Sequence, residues 1–222
     1  MEAPHMKIKS TLVLGLLVVI AFGIWQSVQA DGPISGRNGR AEVRFLQGMI
    51  DHHQMALDMS ENCLAKAAAP ELKTLCQNII AAQSAEIAQM QRWLSDWYGI
   101  SYVPMPLAHM LSLEGMAGHG GIYKRNLSAH GAHGGHGGAA ALPDDPPMMM
   151  GMMAGLSQLS GTAYDIAWLE AMIDHHGDAL HMAERVLKWA EHAELRTLAQ
   201  AILRDQSAEI AMMEAMIQML SQ

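Results

Sequence analysis

Apolar residues recur at helical spacing in four stretches of the chain, and polar residues fill the positions between them. The stretches cover residues 41–67, 70–98, 162–190 and 194–220. An apolar stripe of this period is typical of an amphipathic helix that packs on a core. We therefore predict four helices over these ranges, with short turns at Ala68–Pro70 and near His192. Gly99 should end the second helix, and Ser160-Gly-Thr is a capping sequence for the third.

The first pair of helices is repeated in the second pair. Residues 45–97 align with residues 168–220 without a gap, and about 25 of these 53 positions are identical. Self-similarity of this kind sets the architecture, because each repeat is one supersecondary unit. The sequence predicts an all-α four-helix bundle of two helical hairpins, residues 41–98 and 156–222, within one domain.

The most unusual stretch of the repeat is Met49-Ile-Asp-His-His-Gln-Met-Ala-Leu-Asp-Met59. It returns 123 residues later as Met172-Ile-Asp-His-His-Gly-Asp-Ala-Leu-His-Met182. On a helix its histidines and outer methionines fall within roughly 120° of arc, where a core helix carries leucine. Adjacent histidines that face a core must find donors, acceptors or a cation, because unpaired burial is costly. The pattern predicts a soft-metal site.

The second helix of each hairpin repeats a motif of its own. Gln83-Ser-Ala-Glu86-Ile-Ala-Gln-Met90 matches Gln206-Ser-Ala-Glu209-Ile-Ala-Met-Met213, and its first, fourth and eighth residues share one helical face. The candidate ligands are Met49, His52, His53, Met55, Met59, Met90, Met172, His175, His176, Met182 and Met213. Candidate partners for the imidazole N–H groups are Gln83, Glu86, Gln206 and Glu209. The alternatives are methionines that only fill the core and histidine pairs that are hydrogen-bonded core residues.

The ligand types indicate copper. Thioether sulfur is soft and neutral, so it binds Cu(I) or Ag(I) well and Mg, Ca or Mn poorly, whereas imidazole accepts Cu(I), Cu(II) and Zn. A mixed set of methionine and histidine can therefore hold copper in both oxidation states, with Cu(I) favoured.

Catalysis is not expected. Di-iron bundles need several inward carboxylates, but Asp51 and Asp174 fall on the outer face and only Glu86 and Glu209 are predicted to face inward. The sequence has no nucleophile elbow, P-loop or dinucleotide fingerprint.

The composition supports a metal-binding bundle and argues against nucleic acid. Half of the residues are hydrophobic, 20 are methionine and only 5% are aromatic, which favours a methionine-filled helical interior. Methionine is a versatile core filler, but its combination with 12 histidines is harder to explain by packing. The net charge of −8 and the lack of a basic patch argue against a nucleic-acid partner.

The N-terminal segment resembles an export signal. Lys7 and Lys9 precede the apolar run Leu12–Trp25, and the small residues near Ala30 offer a cleavage site. A run of about 14 residues is short for a membrane span of about 20. We expect residues 1–30 to be a cleaved signal peptide, or an uncleaved anchor that would be the chain's only contact with a membrane. In both cases the remainder is periplasmic or secreted.

The two cysteines fit an oxidising compartment. Cys63 and Cys76 lie at similar distances from the first turn and on the inner faces of their helices, whereas their counterparts Val186 and Ala199 are ordinary core residues. A disulfide between them is the favoured interpretation. A pair of thiolate metal ligands is the alternative.

The segments outside the hairpins have a different composition. Residues 31–40 are predicted to be a flexible leader, and residues 99–155 form an insert rich in His, Met and Gly. Its candidate accessory ligands are His130, His133, His136, Met148, Met149, Met150, Met152 and Met153. The alternatives are a solvated linker for the histidine tract and a hydrophobic clasp for the methionine run.

These motifs resemble domain-of-unknown-function family 305. The resemblance is carried by Phe45-Leu-x-x-Met49-Ile-x-His52-His53, Gln83-x-x-Glu86-Ile-x-x-Met90 and Trp93-Leu94, and it extends over roughly residues 41–222. It implies a ferritin-like bundle and metal binding by Met and His of the repeated helices, as in the secreted copper-binding members of the family.

The sequence thus predicts an exported copper-binding protein that serves in metal buffering, resistance or delivery. Its expected partners are metal ions, Cu(I) above all and also Cu(II) or Ag(I), together with other copper-handling proteins. The alternatives are a ferritin-like metalloenzyme and a structural or partner-binding bundle without metal.

Overall fold

The computed structural model describes residues 32–104 and 155–222, which contain four long α-helices and no strand. Helix α1 spans Gly36–Lys66, α2 spans Pro70–Tyr98, α3 spans Gly161–Val186 and α4 spans Ala193–Leu220. The predicted all-α fold is confirmed. The predicted signal segment and most of the insert lie outside the described residues.

Helix α1 begins earlier than the sequence indicated. It starts at Gly36, so the leader predicted to be flexible is helical over Gly36–Arg40. The guanidinium of Arg37 lies 3.9 Å from the ring centre of Trp189 in the turn between α3 and α4. A cation above an indole is an attractive contact, and this distant contact stabilises a glycine-rich first turn that local propensity alone disfavours.

Helix α3 ends earlier than the sequence indicated. It stops at Val186 rather than near Ala190, and residues 187–189 form a turn. The guanidinium of Arg196 donates to the carbonyls of Leu187 and Ala190, at 3.1 Å each. Carbonyls at a helix end need such partners, and here a side chain of the next helix supplies them. Gly99 ends α2 as predicted, with φ at 65°.

The two hairpins meet through α1 and α3, which run antiparallel. The indole N–H of Trp168 donates to the carbonyl of Met59 at 3.0 Å, and His175 lies opposite His52. Residues at the start of one helix therefore face residues near the end of the other. Because the hairpins are repeats of each other, this arrangement has an approximate two-fold axis between His52 and His175.

The core is divided into two clusters on either side of this axis. One cluster, here called the disulfide end, contains Met55, Met59, Cys63, Leu72, Leu75, Cys76, Ile79, Leu156, Tyr164, Trp168, Leu169, Met172, Met213 and Met216. The other, here called the stacked-ring end, contains Phe45, Leu46, Met49, Ile50, Ile87, Met90, Leu94, Trp97, Ala183, Leu195, Leu198 and Ile202. Each cluster takes residues from both hairpins, so neither hairpin has a core of its own.

The first hairpin carries a covalent link. Cys63 of α1 and Cys76 of α2 form a disulfide, with their Cα atoms 6.5 Å apart. The thiolate-pair alternative therefore does not apply to this structure. Among the residues that the structure describes, no helix is long and apolar enough to span a membrane.

Candidate metal centre

Four histidine rings cross the middle of the bundle between the two core clusters. The rings of His52 and His175 lie at the approximate two-fold axis, with their centres 3.7 Å apart and their planes inclined by 36°. His53 follows at 6.3 Å from His52, and His176 at 6.2 Å from His175. The repeated His-His motifs thus converge on one place, although they are 123 positions apart in the sequence.

The two outer histidines are held in the same way. The Nε2 atom of His53 lies 2.6 Å from a carboxylate oxygen of Glu86, and that of His176 lies 2.6 Å from Glu209. These two carboxylates are themselves only 23% and 22% exposed. A carboxylate accepts a hydrogen bond, so each Nε2 carries a proton, and Nδ1 is the ring atom left to offer a lone pair.

Three of the four histidines have a buried Nδ1 atom that no group of the described residues hydrogen-bonds, although the other ring nitrogen has a partner. The Nδ1 atoms of His53, His175 and His176 are buried and lack a hydrogen-bond partner. An unpartnered buried polar atom costs about 1–3 kcal/mol, and here such atoms recur in both repeats. A histidine that ligates a metal characteristically donates its other N–H to a carboxylate, so the arrangement fits imidazoles prepared for a metal ion.

The two central histidines are neutral. Burial lowers the pKa of His52 and of His175 well below the usual value, and the neighbouring histidines lower it further. The backbone carbonyls act in the opposite direction but do not prevail. The Nε2–H group of His175 donates to the carbonyl of His52 at 3.0 Å. Near neutral pH both rings therefore keep a lone pair for a cation instead of repelling it.

Two fully buried methionines lie one helical turn from the first outer histidine and from its glutamate partner. Met49 is one turn before His53 on α1, and Met90 is one turn after Glu86 on α2. Because α1 and α2 run antiparallel, both methionines are displaced from the His53–Glu86 pair towards the same end of the bundle. Met49 and Met90 accordingly belong to the same core cluster. We call Met49, His53 and Met90 the first half-site.

The second repeat has the same arrangement. Met172 is one turn before His176, Met213 is one turn after Glu209, and both methionines are fully buried at the disulfide end. We call Met172, His176 and Met213 the second half-site. Each half-site offers two thioethers and one imidazole.

Two of the remaining candidate methionines, Met59 and Met182, lie with residues of the other repeat. The methyl group of Met182 lies 3.3 Å from the place that a Cβ atom would take on Gly48, next to Met49 of the first repeat. Met59 lies at the disulfide end, in the cluster of Met172. The sequence grouped each of these residues with its own repeat, whereas the structure places each with the cluster that holds the other repeat's half-site. Met55 also lies at the disulfide end.

The buried glutamines are further unpartnered groups of this region. Both amide atoms of Gln83, and the amide oxygen of Gln206, are buried without a hydrogen-bond partner. Over residues 32–104 and 155–222, no group of three or more His, Cys, Asp or Glu side chains is arranged to hold a metal ion. The buried methionines near the histidines offer thioether sulfur, which favours a soft ion.

The accessory ligands predicted in the insert lie outside the described residues. They are His130, His133, His136, Met148, Met149, Met150, Met152 and Met153.

Sequence reasoning missed two buried carboxylates that join the hairpins. Glu42 of α1 accepts hydrogen bonds from the backbone N–H groups of Glu191 and His192 in the second turn, at 2.6 and 3.1 Å. Asp165 of α3 accepts from the N–H groups at residues 68 and 69 of the first turn, at 3.0 and 2.9 Å. Each carboxylate thus binds the amides that precede a helix of the other hairpin. The signal was present, because Glu42 and Asp165 are also 123 residues apart, just before the aligned region.

Glu42 is the centre of a larger buried network. The hydroxyl group of Tyr98 donates a hydrogen bond to Glu42. The ring Nδ1–H group of His192 donates a second one. Burial would raise the pKa of Glu42, but the hydrogen bonds from Tyr98, His192 and the turn amides outweigh burial and lower it. Trp97 stacks on His192 with ring centres 3.8 Å apart. The carboxylate is therefore ionised and fully engaged in holding the fold together.

The prediction that only Glu86 and Glu209 face inward is wrong. Glu42, Asp165 and Asp178 are also buried. The first two bind the turns, as described above. Asp178 occupies the position that Met55 holds in the first repeat. The two repeats therefore differ two residues after the second histidine of each His-His pair.

The chain belongs to the family described as Domain of unknown function (DUF305), whose model matches residues 42–217. An uncharacterised protein of Acanthamoeba polyphaga mimivirus is 28% identical over 95 residues. That match covers 41% of this chain and 56% of the viral protein, so the chain spans little more than half of that relative.

Solved structures share the fold. CopM in its Cu(I)-bound form is 27% identical, with a TM-score of 0.55 over 80% of this chain and 95% of CopM. CopM has also been solved with Cu(II) and with Ag bound. A DUF305 protein from Streptomyces coelicolor gives a TM-score of 0.58 at 22% identity, over 82% of this chain and 92% of that one.

Proposed function

We propose that this protein binds Cu(I) at the two half-sites and serves in copper buffering, resistance or delivery outside the cytoplasm. One observation carries the proposal: each repeat buries an unpartnered Nδ1 atom on a histidine whose Nε2 is held by a carboxylate, and two buried methionines lie one turn from this pair. The same arrangement occurs twice, although nothing in bundle packing requires it.

The ligand chemistry selects copper among the common metals. Two thioethers and an imidazole form a neutral, soft set, which suits Cu(I) and its analogue Ag(I) and disfavours Mg, Ca and Mn. The structural similarity to CopM, a protein solved with Cu(I), Cu(II) and Ag bound, supports this choice. Cu(II) would be held by the imidazoles rather than by the thioethers.

The disulfide supports a location outside the cytoplasm. Disulfides persist in oxidising compartments and are rare in the reducing cytosol, and the Cys63–Cys76 bond lies within the folded core. Together with the predicted export signal, this favours the periplasm or the exterior. A copper-binding protein there would capture the ion before it reaches the cytoplasm. The histidine- and methionine-rich insert is proposed to assist capture.

Carboxylate chemistry favours binding over catalysis. Glu86 and Glu209 are each bound to a histidine, and Glu42 and Asp165 each bind a turn. Since these four are engaged, we infer that the metalloenzyme alternative lacks the set of carboxylate ligands that a di-iron centre uses.

The test is an anaerobic Cu(I) titration of the purified protein against a chromophoric Cu(I) chelator. Replacement of Glu86 and Glu209 by Gln should weaken Cu(I) binding by about 10- to 100-fold, the usual effect of losing a group that orients a ligand. Replacement of His53 and His176 by Ala should weaken it further, because the ligand itself is lost.

His181→Ala is the matched control for this titration. His181 is on α3, like His176, but its side chain is 68% exposed, so its loss should leave the affinity unchanged. Circular dichroism would verify that each variant is folded. Affinity that survives the His53→Ala/His176→Ala change would remove copper from the half-sites.

A further inference from the structure

Helix α4 carries three methionines that are not among the predicted ligands. Met212, Met216 and Met219 follow at spacings of four and three residues, so they lie along one face of the helix. Their exposure changes along the row. Met219 is 64% exposed, Met212 is partly buried, and Met216 is only 7% exposed.

An exposed methionine at this place needs a reason. Among the described residues, Met219 and Val103 are the only large hydrophobic side chains that are strongly exposed. A side chain with this exposure gains little from burial, so core filling, the usual role of methionine, accounts for Met216 but not for Met219.

The repeat shows that these methionines are particular to the second hairpin. The equivalent positions on α2 are Gln89, Trp93 and Asp96. The fold is therefore compatible with three other residue types at these positions. Packing in the repeat pattern does not explain why all three are methionine in α4.

The row leads from solvent to a half-site. Met216 is three residues from Met213, and both side chains are buried in the cluster of the disulfide end. Met213 belongs to the second half-site, one turn from Glu209. On a helix, side chains three or four residues apart are neighbours, with about 5–6 Å between their Cβ atoms. Thioethers therefore follow one another from Met219 at the surface through Met216 to Met213.

We propose that Met219, Met216 and Met212 form an uptake route that receives a soft monovalent cation, Cu(I), and passes it to the second half-site. The inference rests on the proposed function. Transfer requires only ligand exchange: a bond from copper to the sulfur of Met216 forms, and the bond to the sulfur of Met219 breaks. Thioethers are neutral and carry no proton, so copper stays Cu(I) and neither an electron nor a proton moves.

Helix α2, at the stacked-ring end, has no row of methionines like the one on α4. There the positions of Met216 and Met219 are occupied by Trp93 and Asp96, and Trp93 stacks on Trp97. The methionine row of α4 therefore does not serve the first half-site. Loss of these thioethers should slow Cu(I) loading of the second half-site and leave loading of the first unchanged.

Stopped-flow transfer of Cu(I) from a chromophoric chelator would test the route. The His53→Ala background reports the second half-site alone, and the His176→Ala background reports the first. Replacing Met212, Met216 and Met219 by Leu should slow loading about tenfold or more in the His53→Ala background and leave the rate unchanged in the His176→Ala background. Leucine is close to methionine in volume, so such exchanges cost little stability.

Two further variants exclude an effect of packing. Ile217→Leu changes an apolar side chain at the same end without touching a sulfur, and it should load at the original rate. Met219→Leu alone alters an exposed position that cannot unfold the core, and it should still slow loading. An unchanged rate in the triple variant, or equal slowing in both backgrounds, would overturn the route. Absence of tight Cu(I) binding in the unsubstituted protein would overturn the proposed function, and the route with it.

Discussion

The two ends of the bundle are built from the same repeat but are closed by different chemistry. At the stacked-ring end, Trp93, Trp97 and His192 form successive parallel stacks, with ring centres 4.9 and 3.8 Å apart. At the disulfide end, the positions of Trp93 and Trp97 are taken by Met216 and Leu220. At these equivalent positions, rigid aromatic rings pack at one end of the bundle. Flexible apolar side chains, one of them a thioether, pack at the other end. The difference shows that a duplicated scaffold can keep a symmetric centre while its ends diverge.

The ends also differ in how the hairpins are tied to each other. Glu42 at the stacked-ring end binds two turn amides, a tyrosine hydroxyl and an imidazole. Asp165 at the disulfide end binds two turn amides, and the adjacent hairpin has a covalent bond as well. We infer that the polar network stabilises one end, and that the disulfide compensates for a smaller network at the other.

The largest effect should come from Glu42→Ala. The change leaves the imidazole of His192, the Tyr98 hydroxyl and two backbone amides without their acceptor inside the protein. Removing one member of a buried ionic network costs roughly 3–5 kcal/mol. Urea unfolding followed by circular dichroism would measure the loss of unfolding free energy.

Asp165→Ala is the matched comparison for Glu42→Ala. Only two amides lose their partner, so the loss of unfolding free energy should be smaller. An equal loss at both positions would contradict the view that the two ends are stabilised differently.

Removal of the disulfide should have the next largest effect. Cys63 and Cys76 are separated by 13 residues, and a closed loop of about this length stabilises a protein by about 3 kcal/mol through the unfolded state. The double change to Ala should lower the urea midpoint by a corresponding amount. A reducing agent should lower the midpoint of the unsubstituted protein in the same way and leave the double variant unaffected. A reductant effect on the double variant would show that another group is responsible.

The smallest effect should come from Tyr164→Phe at the disulfide end, and it should depend on pH. The Tyr164 hydroxyl donates to Asn62 at 2.7 Å, so the loss near neutral pH should be about 1 kcal/mol. Burial, together with the charge of Asp165, raises the pKa of Tyr164 to about 12. The unfolded chain releases this proton near pH 10, so folding loses stability as the pH rises from 10 towards 12. The deficit of the variant should shrink over that range.

Tyr98 at the stacked-ring end sharpens this test. Burial and the hydrogen bond to Glu42 raise the pKa of Tyr98 even further than that of Tyr164. In an ultraviolet titration of phenolate, the signal removed by Tyr98→Phe should lie at higher pH than the signal removed by Tyr164→Phe. The reverse order would contradict the assignment of Glu42 as an ionised neighbour of Tyr98.

The helices and the inward placement of Glu86 and Glu209 were predictable because their signals lie within one hairpin and recur in the other. Apolar period, turn residues and the 123-residue repeat located the four helices, and Gly99 ends α2 where the sequence indicated. The placement of Glu86 and Glu209 near the histidines followed from helical faces within one hairpin. Their role at a metal site stays a prediction.

Contacts between the hairpins could not be read from one repeat alone. The early start of α1 depends on Arg37 and Trp189, which lie far apart in the sequence. The same holds for Met59 and Met182, which local spacing assigned to their own repeat. The burial of Asp178 could have been predicted, because the equivalent residue Met55 was already among the candidate ligands of the bundle. It was missed because a charged residue at a core position is unusual.

The carboxylate contacts between the hairpins also bear on the order of folding. Glu42 and His192 are 150 residues apart, and Asp165 and Ala68 are 97 apart. Contacts of such sequence separation are slow to form, whereas each hairpin can form from neighbouring segments. We therefore expect Glu42 and Asp165 to form their contacts with the other hairpin after the transition state of folding. Their loss should accelerate unfolding and leave the refolding rate nearly unchanged, so they set the lifetime of the native protein in its compartment.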